Sequence, residues 1–140
     1  METGTSLSLN EAMKEYRKAL DKGVIKYAYQ GLMGYILSLK SYFLKLYPDF
    51  LVSSNLYLGY MDMTYFSIVP PSLKNRKLKI AVVFIHQKFC FEVWLAGVNK
   101  KVQGAYWQLF KDSDWNKFHL VPSIQGVDAI LQHTLVKDPD

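Results

Sequence analysis

KLKIAVVFIHQKFCFEVWLAG, Lys77 to Gly97, consists of two apolar runs separated by the polar residues His86-Gln87-Lys88. Both runs are rich in β-branched and aromatic side chains, the composition of strands, and the single polar break predicts a β-hairpin at the centre of a sheet. A two- or four-residue turn places Ile80, Val82 and Phe84 on one face with Phe91, Val93 and Leu95. Lys79, Ala81, Val83 and Ile85 then share the other face with Cys90, Glu92 and Trp94. The first face is wholly apolar and the second is apolar apart from Lys79 and Glu92, so both are expected to be covered. A carboxylate on a covered face must be paired, hydrogen-bonded, protonated or holding a cation. Glu92 is therefore the first candidate for a special role.

On the N-terminal side, residues 1–7 read as a loose tail, and Ser8-Leu9-Asn10-Glu11 reads as a capping box opening a helix. Leu9, Met13, Tyr16 and Leu20 recur at helical spacing, and Gly23 supplies the stop. A second, longer helix is predicted from Val24 to Tyr47, ended by Pro48 and apolar over most of its circumference. Gly31 and Gly34 within it suggest a close approach by another backbone. Leu56 to Val69 reads as one long strand with a bend or bulge at Gly59, and Asp62 falls within it on the face of Tyr60, Thr64 and Phe66.

On the C-terminal side, Asn99 is a plausible N-cap for a third helix that buries Val102, Ala105, Tyr106, Leu109 and Phe110. Lys100, Lys101, Gln103, Gln108 and Lys111 would form its solvated face. Trp115 leads into a short strand, Phe118 to Val121, stopped by Pro122. A last helix is predicted on Val127, Ile130, Leu131 and Leu135 after Gly126, and residues 137–140 read as a tail. The expected class is α+β, with two N-terminal helices packed on a mainly antiparallel sheet, in the order α-α-β-β-β-α-β-α. One domain over residues 1–140 is expected.

With half of its 140 residues apolar, the chain can bury a self-sufficient core. Ten Tyr, eight Phe and three Trp suit a dense core or an aromatic-lined groove equally well. The single cysteine, Cys90, cannot form an internal disulfide and points to a reducing, cytoplasmic setting. The opening residues are polar, unlike a signal peptide, and Lys26, Lys40 and Lys45 interrupt the longest apolar stretch, so a soluble protein without a membrane span is expected. The net charge of +5 includes Lys74-Asn75-Arg76-Lys77, Lys79 and Lys100-Lys101, which could contact phosphate. Only Arg17 and Arg76 carry a guanidinium, however, and a lysine-dominated surface more often serves solubility than nucleic-acid recognition.

Motifs for chemistry are sparse. His86, His119 and His133 lack ligand spacing, and Cys90 has no cysteine partner for a zinc site. No glycine-rich phosphate loop or serine-nucleophile elbow occurs. Asp112-Ser113-Asp114 reads as a turn, without the further ligands of a calcium loop.

The order helix, three strands, helix, strand resembles the restriction-endonuclease-like nucleases, which position a divalent metal with an aspartate followed by Glu-x-Lys. Glu92-Val93-Trp94 stands where Glu-x-Lys would be, so only Glu92 carries over, with Asp62 or Lys79 left to supply a missing charge. A second resemblance rests on GYMDMTYF (59–66), FEVWLAG (91–97) and SDWNK (113–117). These segments resemble a small bacterial family known as a domain of unknown function. That likeness implies a bacterial cytoplasmic protein and no particular activity.

Two functional expectations follow. The first is a non-catalytic binding module for a small molecule or protein, without a cofactor, in which Tyr60, Tyr65, Trp94, Tyr106 and Trp107 line a groove or surface. The second is a divalent-metal hydrolase, nuclease-like, centred on Glu92 as the candidate metal ligand with Asp62 or Lys79.

Overall fold

A computed structural model describes residues 6–113, 119–125 and 127–137. The expectations placed on residues 1–5, 114–118, 126 and 138–140 lie outside the described residues. The chain divides into two compact units, Met1–Leu39 and Lys40–Asp140.

The first unit is a pair of helices. In α1 (Leu9–Asp21) the Ser8 side chain accepts from the Glu11 N–H, and the Glu11 carboxylate accepts from the Ser8 N–H. The capping box thus satisfies two backbone donors that a helix start leaves free. Gly23, at φ +78°, turns the chain into α2 (Val24–Leu46), which continues into the second unit. Within the first unit, no described atom outside α2 lies within 4 Å of where a Cβ would sit on Gly31 or Gly34, so α1 makes no close backbone approach there.

The second unit is built on a six-stranded antiparallel sheet in the order β1-β2-β3-β4-β6-β5. Its strands are β1 (Leu51–Val52), β2 (Met63–Val69), β3 (Leu78–Ile85), β4 (Cys90–Gly97), β5 (His119–Leu120) and β6 (Ala129–Lys137). The central hairpin is β3–β4, closed by the pair Ile85↔Cys90 around a four-residue turn with Phe89 at φ +53°. Its register opposes Ile80 to Leu95, Val82 to Val93 and Phe84 to Phe91, the face division that the alternation predicts.

On that apolar face Phe66, Ile68, Leu78, Val82 and Phe84 are buried, and the Phe43 ring at the end of α2 lies 6.1 Å from that of Phe66. A short helix, α3 (Pro71–Lys74), contributes Leu73 to a cluster formed by Leu78, Ile130 and Leu131. The amphipathic α4 (Lys100–Asp112) lays Val102, Tyr106 and Phe110 against the same cluster. Asn99 caps α4, its side-chain oxygen accepting from the Val102 N–H at 2.9 Å.

Three expectations are corrected. The last segment is strand β6, not a helix: it pairs with β4 from Ala129↔Ala96 to Lys137↔Cys90. Two register shifts, between Leu95 and Ala96 and between Phe91 and Glu92, put extra residues into β6. Each bulge interrupts the alternation of period two, so Ile130, Leu131 and Leu135 take on a spacing that imitates a helix. Lys137, expected in the tail, is therefore the last residue of a strand.

The strand expected over Leu56 to Val69 begins at Met63. Gly59 at φ +74° and Met61 at φ +65° fold the preceding residues back, and Tyr57 forms an isolated bridge with Tyr65. Gln103, expected on the solvated face of α4, is 2 % exposed. Its amide donates to the carbonyls of Val127 (3.0 Å) and Ala129 (3.2 Å), joining α4 to the start of β6.

Candidate functional site

The second face of the hairpin is covered unevenly. Ala81, Val83, Cys90, Glu92 and Ala96 are buried, whereas Tyr65, Lys79 and Trp94 are half-buried. Large side chains on β2 and β4 thus stand over small ones on β3 and β4. Between them opens a cleft of about 250 Å³ with Ala81, Ala96 and Gly97 among its lining residues. Tyr65 and Trp94 contribute aromatic surface, Lys79 a cation and Asp128 a carboxylate, while Asn99, Lys100 and Gln103 bring the first turn of α4 to the same cleft.

Each polar group has an identifiable setting. Trp94 Nε1 donates to Glu92 Oε1 at 2.7 Å, which holds the indole in place and gives the buried carboxylate the hydrogen bond that its burial requires. Lys100 Nζ donates to the Val127 carbonyl at 2.8 Å and lies 3.5 Å from Asp128 Oδ1. Both members of that ion pair are largely exposed, so its contribution to stability is small. Lys79 forms no ion pair among the described residues, leaving its ammonium free for a ligand. Burial pushes the Tyr65 phenol above its usual range; the charge of Asp128 adds to this and Tyr57 adds less. Ionisation of Tyr65 is thereby disfavoured, and the cleft presents a neutral phenol.

The five aromatic residues singled out in the sequence separate. Tyr65 and Trp94 meet in the cleft. Tyr106 and Trp107 pack against the core cluster on the opposite face, with Trp107 Nε1 donating to the Val121 carbonyl at 2.8 Å and Lys111 Nζ 4.8 Å from the ring centroid. Tyr60 is 87 % exposed on the loop before β2. Asn99, read in the sequence as a helix cap, Lys100, read as a possible phosphate contact, and Gln103 and Asp128 belong to the cleft; no sequence signal brought the four together, because their approach depends on how α4 and β6 pack at one end of the sheet.

The acids proposed for metal chemistry are also apart. Asp62 lies just before β2, where its Oδ1 accepts from the N–H groups of Tyr60 (2.9 Å) and Met63 (2.7 Å). These bonds lower its pKa, the one from Tyr60 contributing most. The Asp62 carbonyl accepts from the His86 N–H, whereas Glu92 pairs with Val83. Three residues along the strands and two strand spacings put the backbones of Asp62 and Glu92 about 14 Å apart. Lys79 lies four residues along β3 from Val83, again about 14 Å from Glu92. Among the described residues no three His, Cys, Asp or Glu side chains gather as metal ligands would.

A second polar cluster holds the loop before β2. Thr64 is fully buried; its hydroxyl donates to the Leu58 carbonyl at 2.8 Å and lies 2.8 Å from His86 Nε2. The hydroxyl has one proton, so Nε2 carries the hydrogen of the second bond. Burial lowers the His86 pKa from 6.5, opposed by the charge of Asp62. The neutral ring is therefore favoured in the folded state, and its stabilisation is full above about pH 6.5 and lost as pH falls towards the folded value. Thermal unfolding from about pH 7.5 to about pH 5.5 should show a falling midpoint, with a flatter profile in His86→Gln. Equal slopes in the two proteins would show that His86 is not the titrating group.

Gly97 sets the end of the cleft. A Cβ on it would lie 2.7 Å from the Gln103 backbone nitrogen and 3.1 Å from the Asn99 carbonyl oxygen. These backbone atoms yield only if the start of α4 shifts. Gly97→Ala should cost about 1–3 kcal/mol in urea unfolding, and a change within the error of the method would show that this junction is loose.

The sequence matches, over residues 9–140, the family described as Domain of unknown function (DUF7000). The chain belongs to that family. The match extends from the first residue of α1 across the whole sheet, so the cleft is built entirely from residues inside the region that the family defines. No curated protein and no solved structure matches the chain. Among the described residues, no helix of this DUF7000 member is long and apolar enough to cross a membrane.

Proposed function

We propose that this DUF7000 protein is a non-catalytic binding module whose ligand seats in the cleft between Tyr65 and Trp94. The observation that carries the proposal is the juxtaposition of two aromatic side chains with the ammonium of Lys79, which has no ion-pair partner among the described residues. Aromatic surface supplies area and orientation, and a small number of polar groups supply selectivity. The Glu92–Trp94 hydrogen bond holds one wall before a ligand arrives, which reduces the ordering cost of binding. A reducing, bacterial cytoplasmic setting is part of this proposal, in keeping with the lone, buried Cys90.

Thermal unfolding against a panel of small metabolites, run on wild type and Trp94→Leu, tests the proposal. A ligand at a hundredfold excess over its Kd stabilises the folded state by about 2.7 kcal/mol. At least one ligand should raise the wild-type midpoint and lose that effect in Trp94→Leu. A panel without a stabiliser, or one whose stabilisers act equally on both proteins, would remove the assignment of this cleft.

A further inference from the structure

Two basic residues, Lys79 and Lys100, line the cleft. Lys79, on its lining, pairs across the hairpin with Ala96, and the Lys77 carbonyl accepts from the Val98 N–H at 3.0 Å. Lys74 ends α3 and Arg76 lies in the turn before Lys77, while Lys100 and Lys101 open α4 two residues beyond Val98. Of these cations Lys79 and Lys100 line the cleft, and because Lys100 is held by Asp128 and the Val127 carbonyl, Lys79 is the cation that the cleft offers to an anion. Lys74, Arg76, Lys77, Lys100 and Lys101 are exposed. Asp49 lies before β1, two strands from β3.

Size narrows the ligand. The cleft, at about 250 Å³, falls just below the ~300–1,000 Å³ typical of pockets that enclose a whole drug-sized ligand. It has room for one ring system, and a charged extension of the ligand must lie at the mouth, beside Lys79. Aromatic side chains stack on the π-face of any base, while lysines bind phosphate as point charges. A base paired and stacked within a duplex cannot enter such a cleft, so the base must be unpaired.

We propose that the cleft takes a nucleotide unit, its base against Trp94 and Tyr65 and its phosphate on Lys79. This rests on the binding-module reading and adds the ligand class. The same chemistry is presented by a single-stranded nucleic acid and by a free nucleotide.

The test is fluorescence anisotropy of a short labelled oligothymidylate with the intact protein at several salt concentrations, with thymidine monophosphate as competitor. Affinity should fall as salt rises, and Trp94→Leu should weaken binding by roughly 10- to 100-fold, the range for loss of one base stack. Lys79→Gln, which leaves the aromatic walls in place, should reduce the log–log salt slope by about 0.7, one phosphate contact to a single strand. Thermal unfolding of both variants establishes that they are folded. Displacement by the monophosphate at its own low Kd identifies a free nucleotide, and displacement only by a second oligonucleotide identifies a strand; either supports the proposal.

No binding by oligonucleotide or monophosphate overturns it, as does binding that ignores both substitutions. If non-phosphorylated aromatic ligands stabilise wild type but not Trp94→Leu while nucleotides do neither, the binding module stands and the nucleotide assignment falls.

Discussion

Phe84→Ala is expected to destabilise the protein by about 3–5 kcal/mol, the usual cost of truncating a fully buried aromatic ring. Phe84 is 1 % exposed, and its ring centroid lies 5.0 Å from those of His86 and Phe91 and 5.3 Å from that of Phe89. These rings span the hairpin turn and both of its strands. Removing the central one leaves a cavity that a hydrogen-bonded sheet cannot collapse to fill. A domain with about 5–15 kcal/mol of stability would lose a large part of it. The urea midpoint should therefore fall sharply, without change in the slope of the transition. A loss below about 1 kcal/mol would mean that the ring is not the centre of this core.

The second large effect is expected at Gln103. Gln103→Leu keeps nearly the same side-chain volume but deletes the amide that donates to the carbonyls of Val127 and Ala129. Leaving a buried acceptor unpaired costs about 1–3 kcal/mol, so the substitution should destabilise by about 2–4 kcal/mol. Because these carbonyls flank Asp128, affinity for the ligand proposed for the cleft should fall as well. Gln103→Glu provides the contrast: the side chain has the same shape, but an acceptor now faces two acceptors, and stability should recover at low pH when the carboxyl is protonated. Loss of stability in the leucine variant without any pH-dependent recovery in the glutamate variant would assign the effect to packing instead of hydrogen bonding.

The two substitutions probe different kinds of information. Phe84 was identifiable as a core residue from the chain alone, because strand alternation is local: once β3 and β4 are recognised, period two assigns every side chain to a face. Gln103 was not, because a glutamine on a helix surface is ordinarily solvated. Its burial comes from the approach of a segment more than twenty residues further along.

The same distinction runs through the candidate site. Tyr65 and Trp94 were legible as aromatic residues, and Trp94 as a neighbour of Glu92 and Lys79 on one face, but not their selection from five candidates. Tyr106 and Trp107 have the same chemistry and became core because α4 turns them onto the Leu78–Ile130–Leu131 cluster. Glu92 drew attention as a carboxylate on a covered face. The indole two residues away along its own strand meets that requirement, since residues i and i+2 of a strand lie side by side.

Local physics in the amino-acid order was sufficient for the capping box of α1, the end of α2 before Pro48, the central hairpin with its two faces, and the α+β class. Each depends on contacts within a few residues or on a strict period. Long-range packing decided that the last segment is β6, that Asp62 caps a bend, and that Lys79, Trp94, Tyr65 and Asp128 share one cleft. The physical reason is clearest in β6. An edge of unpaired N–H and C=O groups along β4 recruits it as a strand, while two bulges disguise its period. A hydrogen-bonding demand set by one part of the chain is met by another, and no local pattern in β6 records it.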